Sequence, residues 1–295
     1  QTNDSGYIAS GNIVFSDEQT DSVLVSDAFL VKTNAIGDTL WTKCYGGIKD
    51  ELVNSIDQTA NNGYILAGST NSFCADSLDV FIVRTNSGGD TLWSKRYGGN
   101  DNEWANSIKQ SNDGGYIIAG TTQSFGAGNK DIYLIHTDAN GNVLWSKTYG
   151  GIGDEEGNSV QLTDDGGYII AGSTKSFGAG GNDAYQIKTD SSGNLIWSKT
   201  FGDAGDDVGK DIKQTIDGGF VVTGVSGSGG GLSSVLFLKT DRQGMSICNQ
   251  ANPATVTTEV ATPYFRVAPL VTLRSFNITK NALIDPIIHG GISNN

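Results

Sequence analysis

Proline is almost missing from this chain until its C-terminal end: all four, Pro253, Pro263, Pro269 and Pro286, fall after residue 250. Before that point no residue lacks a backbone N–H, and the change in composition marks a boundary near residue 249. Cysteine is also scarce. Cys44, Cys74 and Cys248 match no metal-binding spacing, and an odd count argues against a disulfide framework, leaving room for one bridged pair at most. Histidine occurs twice, as His136 and His289, and neither lies in a GxSxG, HExxH or Cys–His arrangement. The "GAGG" at 178–181 has no Lys-Ser/Thr after it and is no phosphate loop. Catalysis by any of these familiar constellations is excluded, and no enzymatic activity is expected.

Positive charge is in short supply, with 19 Lys and Arg against 32 Asp and Glu, a net charge of −13. With no basic cluster, such a surface repels phosphate backbones, which excludes nucleic acid as a partner. No apolar run approaches the roughly 18 residues that cross a bilayer, so no membrane span is expected. No segment carries the 3.6-residue period of an amphipathic helix. The chain starts at Gln1 without a charged or apolar leader and reads as a mature or trimmed piece.

What is abundant is glycine, 41 residues, set at fixed places beside Tyr, Ile and Trp. Trp41, Trp93, Trp145 and Trp197 are each 52 residues apart, and Asp27, Asp79, Asp131 and Asp183 keep the same step. The glycines of a Gly-Tyr or Gly-Phe pair fall at 6, 63, 115, 167 and 219, so five copies of one unit are visible. The first copy has five extra residues around "FSDEQTDSVLVS", and the fifth degenerates, with Cys248 in place of Trp and Ser234 in place of Asp.

Each unit holds four strand-like runs, here termed a to d: "VGKDIKQT", "YIIAGST", "DAYQIKT" and "LIWSKTF". The a–b link "DGG" and the c–d links "TDANGN" and "TDSSGN" are tight turns that need residues tolerant of positive φ. Four antiparallel strands per unit of about 50 residues predict an all-β fold, a β-propeller of four-stranded blades. About five blades are expected over 1–249, with six the runner-up. The opening "QTNDSGY" matches "QTIDGGF" at 214–220, so the first copy lacks most of its strand a. Residues 250–295 form a β-rich tail expected either to supply a ring-closing strand or to pack as a small appendage. The Trp of strand d and the Tyr and Ile of strand b are expected between blades.

The pattern "DGGYIIAGST…SFGAG..D.Y.IKTD..GN.LWSKTYGG" resembles the secreted β-propeller repeats of Bacteroidetes and archaeal surface proteins, over roughly residues 1–249. The resemblance implies an extracellular or cell-surface location, with type IX secretion the implied route, and says little about activity.

In such a blade the b–c and d–a loops share one face. The b–c loops are the glycine-rich "SFGAG" segments, and the d–a loops carry acids in register: Asp50/Glu51, Asn102/Glu103, Asp154/Glu155 and Asp206/Asp207. A ring of carboxylates near a channel mouth suits Ca²⁺, although no DxDxDG run marks a dedicated calcium loop. No other cofactor is expected. The alternative is that each acid caps a turn or answers a nearby lysine. Trp104, the one tryptophan outside the repeat register, lies beside these acids, either as a stacking platform for a sugar ring or as inter-blade filling. His136 stands in a column with Lys32, Arg84, Lys188 and Lys239. The expected function is a non-enzymatic binding or adhesion module for a glycan or protein ligand, with Trp104, Asp50, Glu51, Glu103, Asp154, Glu155, Asp206 and Asp207 as candidate site residues. The rival is a structural spacer or self-assembling subunit whose tail docks on other copies. A carbohydrate-active enzyme using acids of the same face is a third reading.

Overall fold

The computed structural model describes residues 1–15, 25–72, 77–228, 232–246, 250–260 and 264–267. The five-residue insertion of the first copy, Cys74 and Cys248 lie outside them. The described chain is all-β, with no helix, and consists of five small antiparallel sheets that follow the repeat. The first sheet holds β1 (Tyr7–Phe15), β2 (Val25–Thr33) and β3 (Thr39–Tyr45). The second runs β4 (Glu51–Gln58), β5 (Tyr64–Thr70), β6 (Asp79–Thr85) and β7 (Thr91–Gly98). The third repeats this with β8 (Glu103–Gln110), β9 (Tyr116–Thr122), β10 (Asp131–Thr137) and β11 (Val143–Gly150). The fourth comprises β12 (Glu155–Leu162), β13 (Tyr168–Thr174), β14 (Asp183–Thr189) and β15 (Leu195–Phe201). The fifth has β16 (Asp207–Gln214), β17 (Phe220–Ser228) and β18 (Leu232–Thr240). Within each sheet the strands pair in chain order, a to b to c to d.

Short turns impose that order. In the a–b turns Gly114, Gly166 and Gly218 take φ near +80°, while Ser5 and Asn62 adopt the same left-handed conformation in the first two copies. Asp113 Oδ1 accepts the Gly115 N–H at 3.0 Å, and Asp165 Oδ1 accepts that of Gly167 at 3.0 Å, closing each hairpin. In the c–d turns Asp138 and Asp190 each accept two backbone N–H groups on the far side of the turn.

The sheets stack by the same contacts each time. Every residue of β5, β6, β9, β10, β13 and β14 is buried, so the central strands of the middle sheets are covered on both faces. Ile117, Ala119, Ile132, Leu134 and Tyr149 of the third sheet pack on Val160, Tyr168, Ile170, Tyr185 and Ile187 of the fourth. Trp41, Trp93, Trp145 and Trp197 each lie about 6 Å from the Tyr or Phe that begins strand b of the next sheet. Such aromatic pairs contribute about 0.5–1.5 kcal/mol each beyond the area they bury. The hydroxyls of Tyr45, Tyr97 and Tyr149 donate to the carbonyls of Gly89, Gly141 and Gly193, again one sheet on.

Each complete strand a carries a bulge, at Val53/Ser55, Ala105/Ser107, Gly157/Ser159 and Gly209/Asp211. A bulge leaves one residue outside the ladder. In three sheets that residue is an asparagine: Asn54, Asn106 and Asn158 donate through Nδ2 to the carbonyls of Ala105, Gly157 and Gly209, each at 2.9 Å. Strand a is thus a line of contact between successive sheets.

The tail runs backwards along the opposite edges. β19 (Gln250–Ala251) pairs with β15, β20 (Val256–Glu259) with β11, and β21 (Tyr264–Val267) with β7. One segment therefore becomes the fifth strand of three different sheets, in reverse order, and covers edges that would otherwise offer unpaired N–H and C=O groups.

Candidate functional site

The b–c and d–a loops interlock at one end of the stack. The N–H groups of Lys49, Asp101 and Gly153 donate to the hydroxyls of Ser72, Ser124 and Ser176 at 2.8–2.9 Å. The in-register acids are part of this joint. Glu51, Glu103 and Glu155 open β4, β8 and β12, and their side chains are fully buried. Glu103 Oε2 accepts the Gly99 N–H at 2.7 Å, and its Oε1 accepts the Thr122 hydroxyl at 2.7 Å and the Ser124 N–H at 3.1 Å. Glu155 does the same with Gly151, Thr174 and Ser176. Glu51 accepts from Gly47 and Thr70, and Asp207 from the Asp203 N–H.

A second carboxylate stands beside each of these. A methyl group added at Gly150 would fall 2.2 Å from Asp131 Oδ1 and 2.3 Å from Glu155 Oε2, and Gly98 and Gly202 occupy the same corner beside Asp79/Glu103 and Asp183/Asp207. Only glycine leaves room for the pair. Burial pushes the Asp131 carboxyl up to about 6; the Gly128 N–H opposes the shift and the neighbouring Glu155 adds to it. Burial likewise raises Glu51, Glu103 and Asp183. In the second sheet Arg96 pairs with Asp79.

The outer acids are more accessible. Asp50 Oδ1 accepts the Ser26 N–H at 2.8 Å, Asp206 Oδ1 accepts that of Asn182 at 2.8 Å, and Asp154 pairs with Lys175 at 3.3 Å. Asp206 is exposed, while Asp50 and Asp154 are half-buried. Among the described residues no three His, Cys, Asp or Glu side chains converge as a metal-binding group.

Trp104 is the second residue of β8, half-buried, in the register position held by Leu52, Glu156 and Val208 in the other sheets. Lys130, from the loop before β10, sets its ammonium 5.3 Å from the centroid of the Trp104 ring and pairs with Glu156 Oε1 at 3.1 Å. Lys130 thus bridges Trp104 of the third sheet to the residue at the same position in the fourth, and Lys175 and Asp154 add a second ion pair in the fourth sheet's loops. An aromatic face flanked by a cation and an anion, with all three partly accessible, can stack on a ring and hydrogen-bond its substituents. Sequence reasoning picked out Trp104 and missed Lys130 and Glu156. Their departure from the repeat was the available signal, since Leu78 and Asn182 stand where Lys130 does.

His136 is buried, with Nε2 3.3 Å from Asp113 and its ring 5.3 Å from Trp145. Lys32, Lys188 and Lys239 make the matching ion pairs with Asp4, Asp165 and Asp217. In the second sheet Asn61 replaces the aspartate, and Arg84 binds it and the Tyr116 hydroxyl. This column lies at the a–b turns, the end away from Trp104. Cys44 is a buried free thiol, raised to about 11 by burial and by Asp27.

No family model matches the chain. The chain is 25% identical over 176 residues to the regulatory protein FlaEY of Caulobacter vibrioides, an alignment that covers 51% of this chain and 18% of that protein. The chain thus spans less than a fifth of the length of the curated relative it matches.

Proposed function

We propose that this protein is an extracellular or cell-surface binding module without enzymatic activity, its sheets arranged as propeller-type blades and its ligand held at the b–c/d–a loop end. The observation that carries the reading is the Trp104–Lys130–Glu156 cluster, which breaks the repeat at a seam between two sheets. A symmetric scaffold packs itself with repeated residues, so an aromatic and two charges that belong to no repeated contact are the natural place for recognition. Of the candidate acids, Glu51, Glu103, Glu155 and Asp207 serve the joint between loops, whereas Asp154 and Asp206 remain near enough to solvent to assist a ligand. The ligand class that fits is a sugar ring, whose apolar C–H face stacks on indole while its hydroxyls reach Lys130 and Glu156.

A glycan-array screen of the purified chain in calcium-containing buffer tests this. The expected result is a saturable hit whose affinity falls at least about tenfold in Trp104→Ala, the loss of a well-packed aromatic anchor. A blank array, or a hit indifferent to Trp104, rules the reading out.

A further inference from the structure

Among the described residues, the two end sheets of the stack each keep one face that no other sheet covers. In every interior junction one sheet presents a receiving face and the next presents a seating face. Between the fourth and fifth sheets the receiving face includes Ile169, Ala171 and Ala184, and the seating face Ile212, Phe220, Val222 and Leu238. The fifth sheet has its own receiving face on the other side of β17 and β18, where Val221, Thr223 and Val225 stand opposite Lys239, Phe237 and Val235. These match Ile169, Ala171 and Ser173 opposite Lys188, Gln186 and Ala184 of the fourth sheet. The fourth-sheet residues are buried, but Val225, Val235 and Phe237 are 40%, 82% and 68% exposed.

The first sheet has the complementary defect. Its seating face holds Tyr7, Ala9, Phe29 and Val31, the register equivalents of Tyr64, Leu66, Phe81 and Val83, which are buried in the second sheet. Tyr7 is 48% exposed, and Ala9 is exposed as well. Gly89, Gly141, Gly193 and Gly244 each lie against the tryptophan of the preceding sheet, whereas the space beside their counterpart Gly37 is open.

We infer that these two faces bind each other between copies: the Val225/Val235/Phe237 face of one molecule receives the Tyr7/Phe29 face of the next, in the relation that successive sheets already have within the chain. Continuity with the interior junctions makes a second copy the occupant. The missing partner of each face is a sheet of this same repeat, and every copy carries one face of each kind. A contact of this type is heterologous, so it propagates head to tail into a ring or filament. It does not depend on the ligand reading above, because Trp104 lies in an interior sheet.

The test is sedimentation or light-scattering mass of the whole chain across two decades of concentration, with the single variants Phe237→Asp and Tyr7→Asp. Both residues are exposed, and matching thermal melts verify that the variants fold. The wild type is expected to gain mass with concentration, and each variant alone to remain monomeric. Mixed in equal amounts, the two variants should form dimers and nothing larger, since the mixture contains one intact pair of faces. A wild type that is monomeric throughout, including one that closes its own ends, overturns the inference. So does assembly that survives either substitution, or a mixture that fails to form dimers.

Discussion

At the scale of single residues, the repeat tolerates charge in its interior only where hydrogen bonds answer it. Glu103 and Glu155 are each met by one hydroxyl and two N–H groups, so these carboxylates staple the d–a loop to the b–c loop. Asp131 accepts the Gly128 N–H at 3.0 Å and lies beside Glu155, and burial raises its pKa from 3.8 to about 6. Folding therefore favours its protonated form. The stability this group contributes is complete below about pH 4 and is lost as pH rises through about 6. Asp131→Asn, a neutral stand-in that can also donate to Glu155, should match the wild type near pH 4 and exceed it at pH 7 by up to about 3 kcal/mol. Urea unfolding of both proteins at the two pH values checks this, and equal differences at both would refute the assignment. Comparison with the variant isolates this group from Asp113, Asp138 and Asp190, whose pKa values are lowered and which act in the opposite direction.

At the scale of elements, strands of seven to nine residues acquire stability from their neighbours rather than from their own sheet alone. The c–d turn shows how closely the sheets meet. Gly141 has φ +72°, and a methyl group there would lie 2.9 Å from the Trp93 ring of the preceding sheet. Gly166, in an a–b turn, has a similar φ of +81° and open space around it. Gly166→Ala should cost about 1–2 kcal/mol for left-handed backbone alone. Gly141→Ala should cost roughly 2–4 kcal/mol, because the tryptophan must also shift. Chemical denaturation of the pair measures the difference, and equal losses would mean that the Trp93 contact adds nothing. The repeat period, the four strands per unit and the positive-φ turns were all legible in the sequence, because each depends on spacing within about 50 residues. The bulge asparagines were not, since Asn54, Asn106 and Asn158 acquire meaning only through carbonyls some 51 residues away.

At the scale of the whole molecule, successive sheets are joined by packing and by the asparagine and tyrosine hydrogen bonds, and the tail runs across the edges of three of them. Removing residues 250–295 would uncover the edges of β7, β11 and β15 together. The expected outcome is a lower melting temperature with concentration-dependent aggregation, because three unpaired edges become templates for intermolecular pairing. A truncated chain that melts like the wild type and stays soluble would show the tail strands to be dispensable. The sequence by itself determined that the protein is all-β, that its unit recurs five times, and where each turn falls. Those features follow from residue type and local period, which are written along the chain. Only the tertiary structure decided that the tail visits the sheets in reverse, that Lys130 joins Trp104 to Glu156, and that the first and last sheets keep exposed apolar faces. Each of these depends on which surfaces meet across distant copies, and a repeat makes all copies look alike until their neighbours distinguish them.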